Sequence, residues 1–296
     1  MGQIPEDRAR RKYSFRSIVM QRNNELRHVL LIFLGVCFLA LGGIFVRLSA
    51  LPPISTGFYR MLFSLPILYP LAISKVRKLS RRTIWKILLA GAFLGADIIL
   101  FNISFLYTSV ANTTLLANLV IFTVVPVSFF VFKEKIPAKF LLSILITIGG
   151  VVILLSGKAE PTELRYIGDA LALVTSLFYA GYILMVYRLR DNVDALAIML
   201  LSSIGAGAVL LVAMLVREGL QVPTTLDALY PLLGLALLSQ IFGQGLLSFA
   251  LGKVTASLSS ILVLTQPVIA ALYAFLFFRE ALTLMEIAGI LIISFG

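Results

Sequence analysis

Cysteine and histidine each occur once in 296 residues, as Cys37 and His28. One of each cannot build a disulfide framework or a Cys/His metal site, and a lone Cys inside an apolar run reads as a small hydrophobe. No cofactor is expected on this inventory. Charge is also scarce: 13% of the chain is Asp, Glu, Lys or Arg against 60% hydrophobic, and the mean hydropathy is +1.02. A soluble core of this length cannot hide that much apolar surface. Soluble enzymes and binding modules are excluded, and an integral membrane protein is implied.

Acidic residues are the scarcer sign, 14 against 25 Lys plus Arg, for a formal charge of +11. A basic balance can signal nucleic acid, but here the cations crowd into the N-terminal tail (Arg8, Arg10, Arg11, Lys12, Arg16, Arg22, Arg27) and one connection (Lys75, Arg77, Lys78, Arg81, Arg82, Lys86), with no interleaved aromatic platform. That placement is the positive-inside pattern. It predicts a multi-pass protein of the cell (inner or plasma) membrane with its N-terminus in the cytoplasm, anionic lipid as the partner of the cytoplasmic face, and no nucleic-acid partner. The first apolar run is long and no small-residue cleavage site follows it, so no cleavable signal is expected. Residues 13–26 are read as a short interfacial helix or as disordered chain.

Ten apolar windows reach or approach membrane length: 29–46, 55–73, 84–107, 110–132, 138–156, 168–187, 195–216, 229–249, 254–277 and 282–296. With the N-terminus inside, 19 of the 25 basic residues fall on the cytoplasmic side and five on the other, and Arg60 lies within a span. The windows also repeat. Residues 105–150 lie without a gap on 251–296, so that Phe132-Lys133-Glu134-Lys135 falls on Phe278-Arg279-Glu280-Ala281. Five spans per copy is an odd number, so the second copy must enter the bilayer upside down. The expected fold is an all-α integral membrane protein of ten transmembrane helices in two inverted five-helix repeats. The expected division is a cytoplasmic basic tail (1–27), a first repeat (28–156), an inter-repeat loop (157–167) and a second repeat (168–296). The last span is the shortest, because Gly296 aligns with Gly150 and nothing answers to 151–156; a truncated or abbreviated terminal helix is expected.

Several motifs carry a resemblance. They are the arginine in span two (Arg60), the polar openings Thr108-Ser109-Val110-Ala111-Asn112 and Lys253-Val254-Thr255-Ala256-Ser257 of spans four and nine, Pro267 within span nine, and the glutamates Glu134 and Glu280 just past those spans. Across 28–296 the chain resembles the EamA-type branch of the drug/metabolite transporter superfamily. The resemblance implies a membrane transporter with no catalytic residues. Two departures stand out. The position aligned with Pro267 is Ile121, and the first copy has Pro126 five residues later, which predicts a break deeper toward the cytoplasm. The family often has Gly before the glutamate, where this chain has Lys133 and Arg279.

Ionisable residues at membrane depth are expensive and therefore functional candidates. At 1.5 Å per residue, Arg60 on span two and Asp97 on span three reach heights only a few Å apart, so they are read either as a buried ion pair that pins the spans or as a coupling pair in which Asp97 is protonated or binds an amine. Asn118, Tyr179, Tyr182, Gln240, Gln244 and Gln266 fall near mid-helix on four further spans and predict a hydrated substrate-binding cavity. Ser259, Gln266 and Tyr273 recur every seven residues on one stripe. Pro126 and Pro267 are the expected breaks or hinges, each freeing the carbonyl four residues before it. Gly42, Gly43, Gly91, Gly95, Gly149, Gly150, Gly205 and Gly207 are read as packing glycines.

The leading reading is a secondary transporter that moves a small organic substrate, an amino acid or related amphipathic compound, in the export direction, by alternating access at a midplane cavity. The chain acts as a monomer or homodimer. No G-x-x-x-x-G-K-[ST] motif is present to bind ATP. An intramembrane enzyme is the alternative from another class, but the chain lacks a nucleophile with a base and a cluster of metal-binding carboxylates. A channel or non-transporting scaffold is the third.

Overall fold

In the computed structural model the backbone is described for 6–108, 110–134, 142–146, 148–150, 153, 163–251, 253–279 and 283–295. Among the described residues it is helical, with no strand. The order is α1 (Glu6–Leu48), α2 (Pro53–Val76), α3 (Arg81–Ser104), α4 (Val110–Ala117), a 3-10 turn (Asn118–Val120), α5 (Ile121–Phe130), α6 (Glu163–Leu189), α7 (Ala195–Arg217), α8 (Leu226–Gly234), a π-helical stretch (Leu235–Gln244), α9 (Gly245–Leu251), α10 (Ala256–Val263), α11 (Gln266–Phe278) and α12 (Leu284–Phe295).

Seven stretches of described residues are long and apolar enough to cross a membrane: Leu26–Leu48, Arg81–Ser104, Asn112–Phe130, Arg165–Leu189, Ala195–Arg217, Leu226–Leu251 and Ala256–Phe278. The 24-residue α2 is as long but is not among them, because Arg60 and its polar first turns dilute its hydropathy. The expected span 138–156 lies largely outside the described residues, and α12 has only 12 residues. The tail differs from expectation: the backbone from Glu6 runs straight into the first span as one helix of 43 residues, about 64 Å at 1.5 Å per residue, rather than as a separate interfacial helix or disordered chain.

The polarity of the molecule is that of a bilayer protein. Trp85, Leu89, Val216, Leu276 and Phe277 are exposed on the outside, while Arg60, Asp97, Asn118, Gln240 and Gln244 are buried. In hydrocarbon, apolar side chains gain nothing by hiding, and polar ones must find partners inside. The protein is thus a multi-pass integral membrane protein.

Helices of the N-terminal part pack mainly against those of the C-terminal part. α3 lies against α6 and α7, α2 against α7, and α1 against the π-helical stretch and α11. The α3–α7 approach is backbone to backbone. A Cβ on Gly91 would overlap the Ser202 carbonyl, and one on Gly205 that of Leu88, so these two glycines set the helix separation. Gly207 and Gly149 have no such constraint, meeting only an ordinary contact at 3.5 Å or nothing within 4 Å.

Carboxylates tie the two parts at their ends. Glu218, just past α7, accepts from the Ile54 and Ser55 amides (2.9 and 2.8 Å) and the Ser55 hydroxyl (2.6 Å), so it caps α2 in place of a side chain of its own. At the opposite end of the same helix pair Lys75 donates to Asp194 at 2.9 Å. Burial raises the Asp194 carboxyl, but the Lys75 hydrogen bond, the Leu196 amide and the Lys75 and Arg190 charges together hold it below the usual carboxylate range. Glu134, past α5, caps α10 through the Ala256 amide (3.2 Å) and the Ser257 hydroxyl (2.6 Å). Its aligned partner Glu280 lies outside the described residues. The residues just before the two glutamates, Lys133 and Arg279, have φ of 55° and 54°. Both sit in the left-handed region that glycine fills most easily, at positions that superpose in the repeat.

Candidate functional site

A polar cavity lies where seven segments converge. Its wall is formed by Leu39 and Gly42 of α1, Arg60 of α2, Leu94, Asp97, Ile98 and Phe101 of α3, Ala117 and Asn118 where α4 passes into the 3-10 turn, Tyr179 of α6, Ser239 and Gln244 of the π-helical stretch, and Gln266 at the start of α11. Six of the residues read from the sequence therefore meet at one place: Arg60, Asp97, Asn118, Tyr179, Gln244 and Gln266. The other two, Tyr182 and Gln240, are fully buried and stand behind the wall. Tyr182 stacks on Tyr179 with ring centroids 6.1 Å apart and pairs with the Ser248 hydroxyl at 3.3 Å. Gln240 accepts from Arg60 Nε at 3.1 Å and donates to Ser203 Oγ at 3.1 Å, so it holds the guanidinium. Ser239 and Phe101 are wall residues that the sequence reading passed over; Ser239 precedes Gln240 by one residue, and only the wide turn of the π-helix puts it on the same wall as Gln244.

Arg60 and Asp97 face each other's charge across the cavity, yet among the described residues they form no ion pair within 4 Å, and Asp97 has no hydrogen-bond partner. The carboxylate is open to whatever occupies the cavity. Gln244 accepts from the Tyr179 hydroxyl at 3.4 Å while its buried Nε2 has no partner among the described residues. Asn118 donates to the Thr114 carbonyl at 2.7 Å. The volume is about 60 Å³, enough for a few water molecules but below the several hundred Å³ of a pocket holding an organic ligand. One helical turn further along the same faces of α1, α2 and α3, a second cavity of about 440 Å³ is lined by residues that include Val46, Thr56, Asn102 and Phe105. The two are stacked along the bundle.

Both broken helices end at the first cavity. The second break follows the sequence reading: α10 stops at Val263, the Leu264 and Thr265 amides turn back to Ile261 and Leu262 (2.9 and 3.1 Å), and Pro267 sits in the first turn of α11. The stripe of Ser259, Gln266 and Tyr273 is thereby divided between two helices. The first break corrects the reading. It falls at Asn118–Val120, in register with Leu264, Thr265 and Gln266, and not at Pro126, which lies inside α5. The Asn118 side chain takes the Thr114 carbonyl that a continuing helix would give to a backbone amide, which loosens the helix without proline.

The fold and the site define a helical membrane protein with a polar chamber buried between its two parts. The family model of the EamA-like transporter family matches 26–156 and again 166–296, and the chain belongs to that family. The family falls within the drug/metabolite transporter superfamily. Over 269 residues, 84% of this chain and 78% of the relative, the chain is 25% identical to an uncharacterized transporter of Methanothermobacter thermautotrophicus. A solved crystal structure superposes with a TM-score of 0.73 at 14% identity, covering 91% of this chain and 94% of that one, and shares the fold. The protein is a membrane transporter.

Proposed function

We propose that the protein is a secondary transporter that carries an amino acid or related amphipathic metabolite, in the export direction, by alternating access at the cavity around Asp97. Ten spans form two inverted five-helix repeats, 28–156 and 168–296, behind a cytoplasmic tail of 1–27 in the cell membrane, and the repeats rock about the cavity. One observation carries the reading: at mid-bundle a carboxylate without a hydrogen-bond partner among the described residues, an arginine, three amides and a tyrosine share a single chamber. Groups so costly to bury are kept where they bind something. The small volume corresponds to a contracted state, and the larger cavity one turn above it supplies the path to the outer face. Asp97 exchanges a proton or a substrate ammonium group during the cycle, with Arg60 as its electrostatic partner.

Counterflow in liposomes with a panel of radiolabelled metabolites tests this. At least one compound must saturate, and Asp97→Asn must abolish its flux in protein that inserts and elutes as wild type does. Flux that persists in the mutant removes Asp97 from the mechanism, and a panel with no saturating compound removes the transport assignment for that substrate class.

A further inference from the structure

Among the described residues, five helices that begin at the ends of the bundle are capped. Ser80, Asp194, Thr225 and Thr255 each accept from an amide of the first turn with their own side chains, and α2 borrows Glu218. α11 begins at the cavity and is not capped: the Thr265 hydroxyl turns away to the Leu262 carbonyl at 2.7 Å. Its 13 residues align their peptide dipoles along the axis, and the backbone donors of its first turn are the amides of Gln266 and Val268, since Pro267 has none. A second donor points the same way. Gln244 is 1% exposed, lines the cavity that Gln266 lines, and its Nε2 has no partner among the described residues. Arg60 and Asp97 cancel in formal charge, and Arg60 Nε is already held by Gln240.

We infer that the N-terminus of α11 and Nε2 of Gln244 form a carboxylate subsite, and that Asp97 receives the ammonium group of the same zwitterionic substrate. This rests on the transport reading and deepens it by assigning an end of the substrate to each group. A helix N-terminus in the bilayer interior is a ready anion site, because backbone donors and the dipole act together where water is excluded. The matching start of α5 is also uncapped, with Val120 at its N-cap, but it lacks the second donor: the nearby Asn118 amide is spent on Thr114. The subsite therefore belongs to one copy only.

The test reads binding separately from flux. Thermal unfolding of the purified full chain in detergent is followed with L-leucine, with L-leucinamide, which has the same shape without the carboxylate, and with 3-methylbutylamine. L-leucine is expected to raise the midpoint at concentrations at least tenfold below those the other two need. Gln244→Leu, which removes the unpartnered Nε2 together with the long 3.4 Å acceptor of the Tyr179 hydroxyl, and Gln244→Glu, which keeps that acceptor and repels a carboxylate, are both expected to erase that tenfold preference. Equal action of acid and amide on the wild type, no response to L-leucine, or a preference retained in both variants overturns the subsite. Carboxylate-dependent binding without counterflow would leave the subsite standing and remove the transport reading.

Discussion

The two interrupted helices, Val110 to Phe130 and Ala256 to Phe278, break at superposable positions by different means. In the second, Pro267 withdraws a backbone donor; in the first, an asparagine side chain occupies a backbone acceptor. The shared feature is the break itself, which brings a helix end to the cavity. The proline is one of two local solutions. The chemistry offered at the break differs as well: Asn118 in the first copy has its side-chain amide engaged, whereas the Gln266 side chain in the second makes no hydrogen bond among the described residues. A symmetric backbone thus carries an asymmetric site.

The sharpest test of that asymmetry compares flux in Gln266→Ala and Asn118→Ala. The first is expected to lose counterflow tenfold or more, equivalent to about 1.4 kcal/mol, and the second to stay within about threefold. Equal losses would mean that the two breaks serve the substrate alike. A smaller effect is expected on stability from Glu134→Gln. Removing the charge that caps α10 should lower the unfolding free energy by about 1 kcal/mol, read as a lower midpoint in detergent, with flux per folded molecule retained. If flux falls further than the folded fraction does, Glu134 acts in the cycle and not only as a cap.

Pro267→Ala should do less still. Because the Thr265 hydroxyl and amide both take the Leu262 carbonyl (2.7 and 3.1 Å), the interruption at Leu264 and Thr265 should persist, with stability within about 1 kcal/mol and flux within about threefold of wild type. Loss of transport in protein of normal stability would show that the proline, and not the break, is what the second copy needs.

The repeat was legible because the alignment of 105–150 on 251–296 has no gap, and most of the cavity was legible because Arg60, Asp97 and the mid-span amides are conspicuous in hydrocarbon. What was hidden has physical causes. The break at Asn118–Val120 leaves no proline to read, and a side chain competing for one carbonyl has no signature in composition. The role of Gln240 depends on a contact with Arg60 across 180 residues and on a π-helical turn, neither of which a 3.6-residue period reveals. An inverted arrangement of the two repeats rests on a count of ten spans, and residues 135–141 and 280–282 lie outside the described residues.

The smallest effect concerns the helix ends after the breaks. Lys133 and Arg279 are exposed and hold φ near 55°, where a non-glycine residue carries roughly 1–2 kcal/mol of strain. Glycine relieves that strain but enters with more freedom in the unfolded chain, worth roughly 0.5–1 kcal/mol the other way. Lys133→Gly and Arg279→Gly should therefore each raise stability by only about 0.5 kcal/mol, and by the same amount, if the two turns are equivalent backbones. Lysine and arginine would then be held there for charge and not for conformation. If the two repeats are inverted as proposed, charge at these two ends falls on opposite faces, and replacing Lys133 should then weaken cytoplasmic retention of its loop in an accessibility assay, while replacing Arg279 should not. A gain at one site matched by a loss at the other would show that the turns differ in more than their side chains.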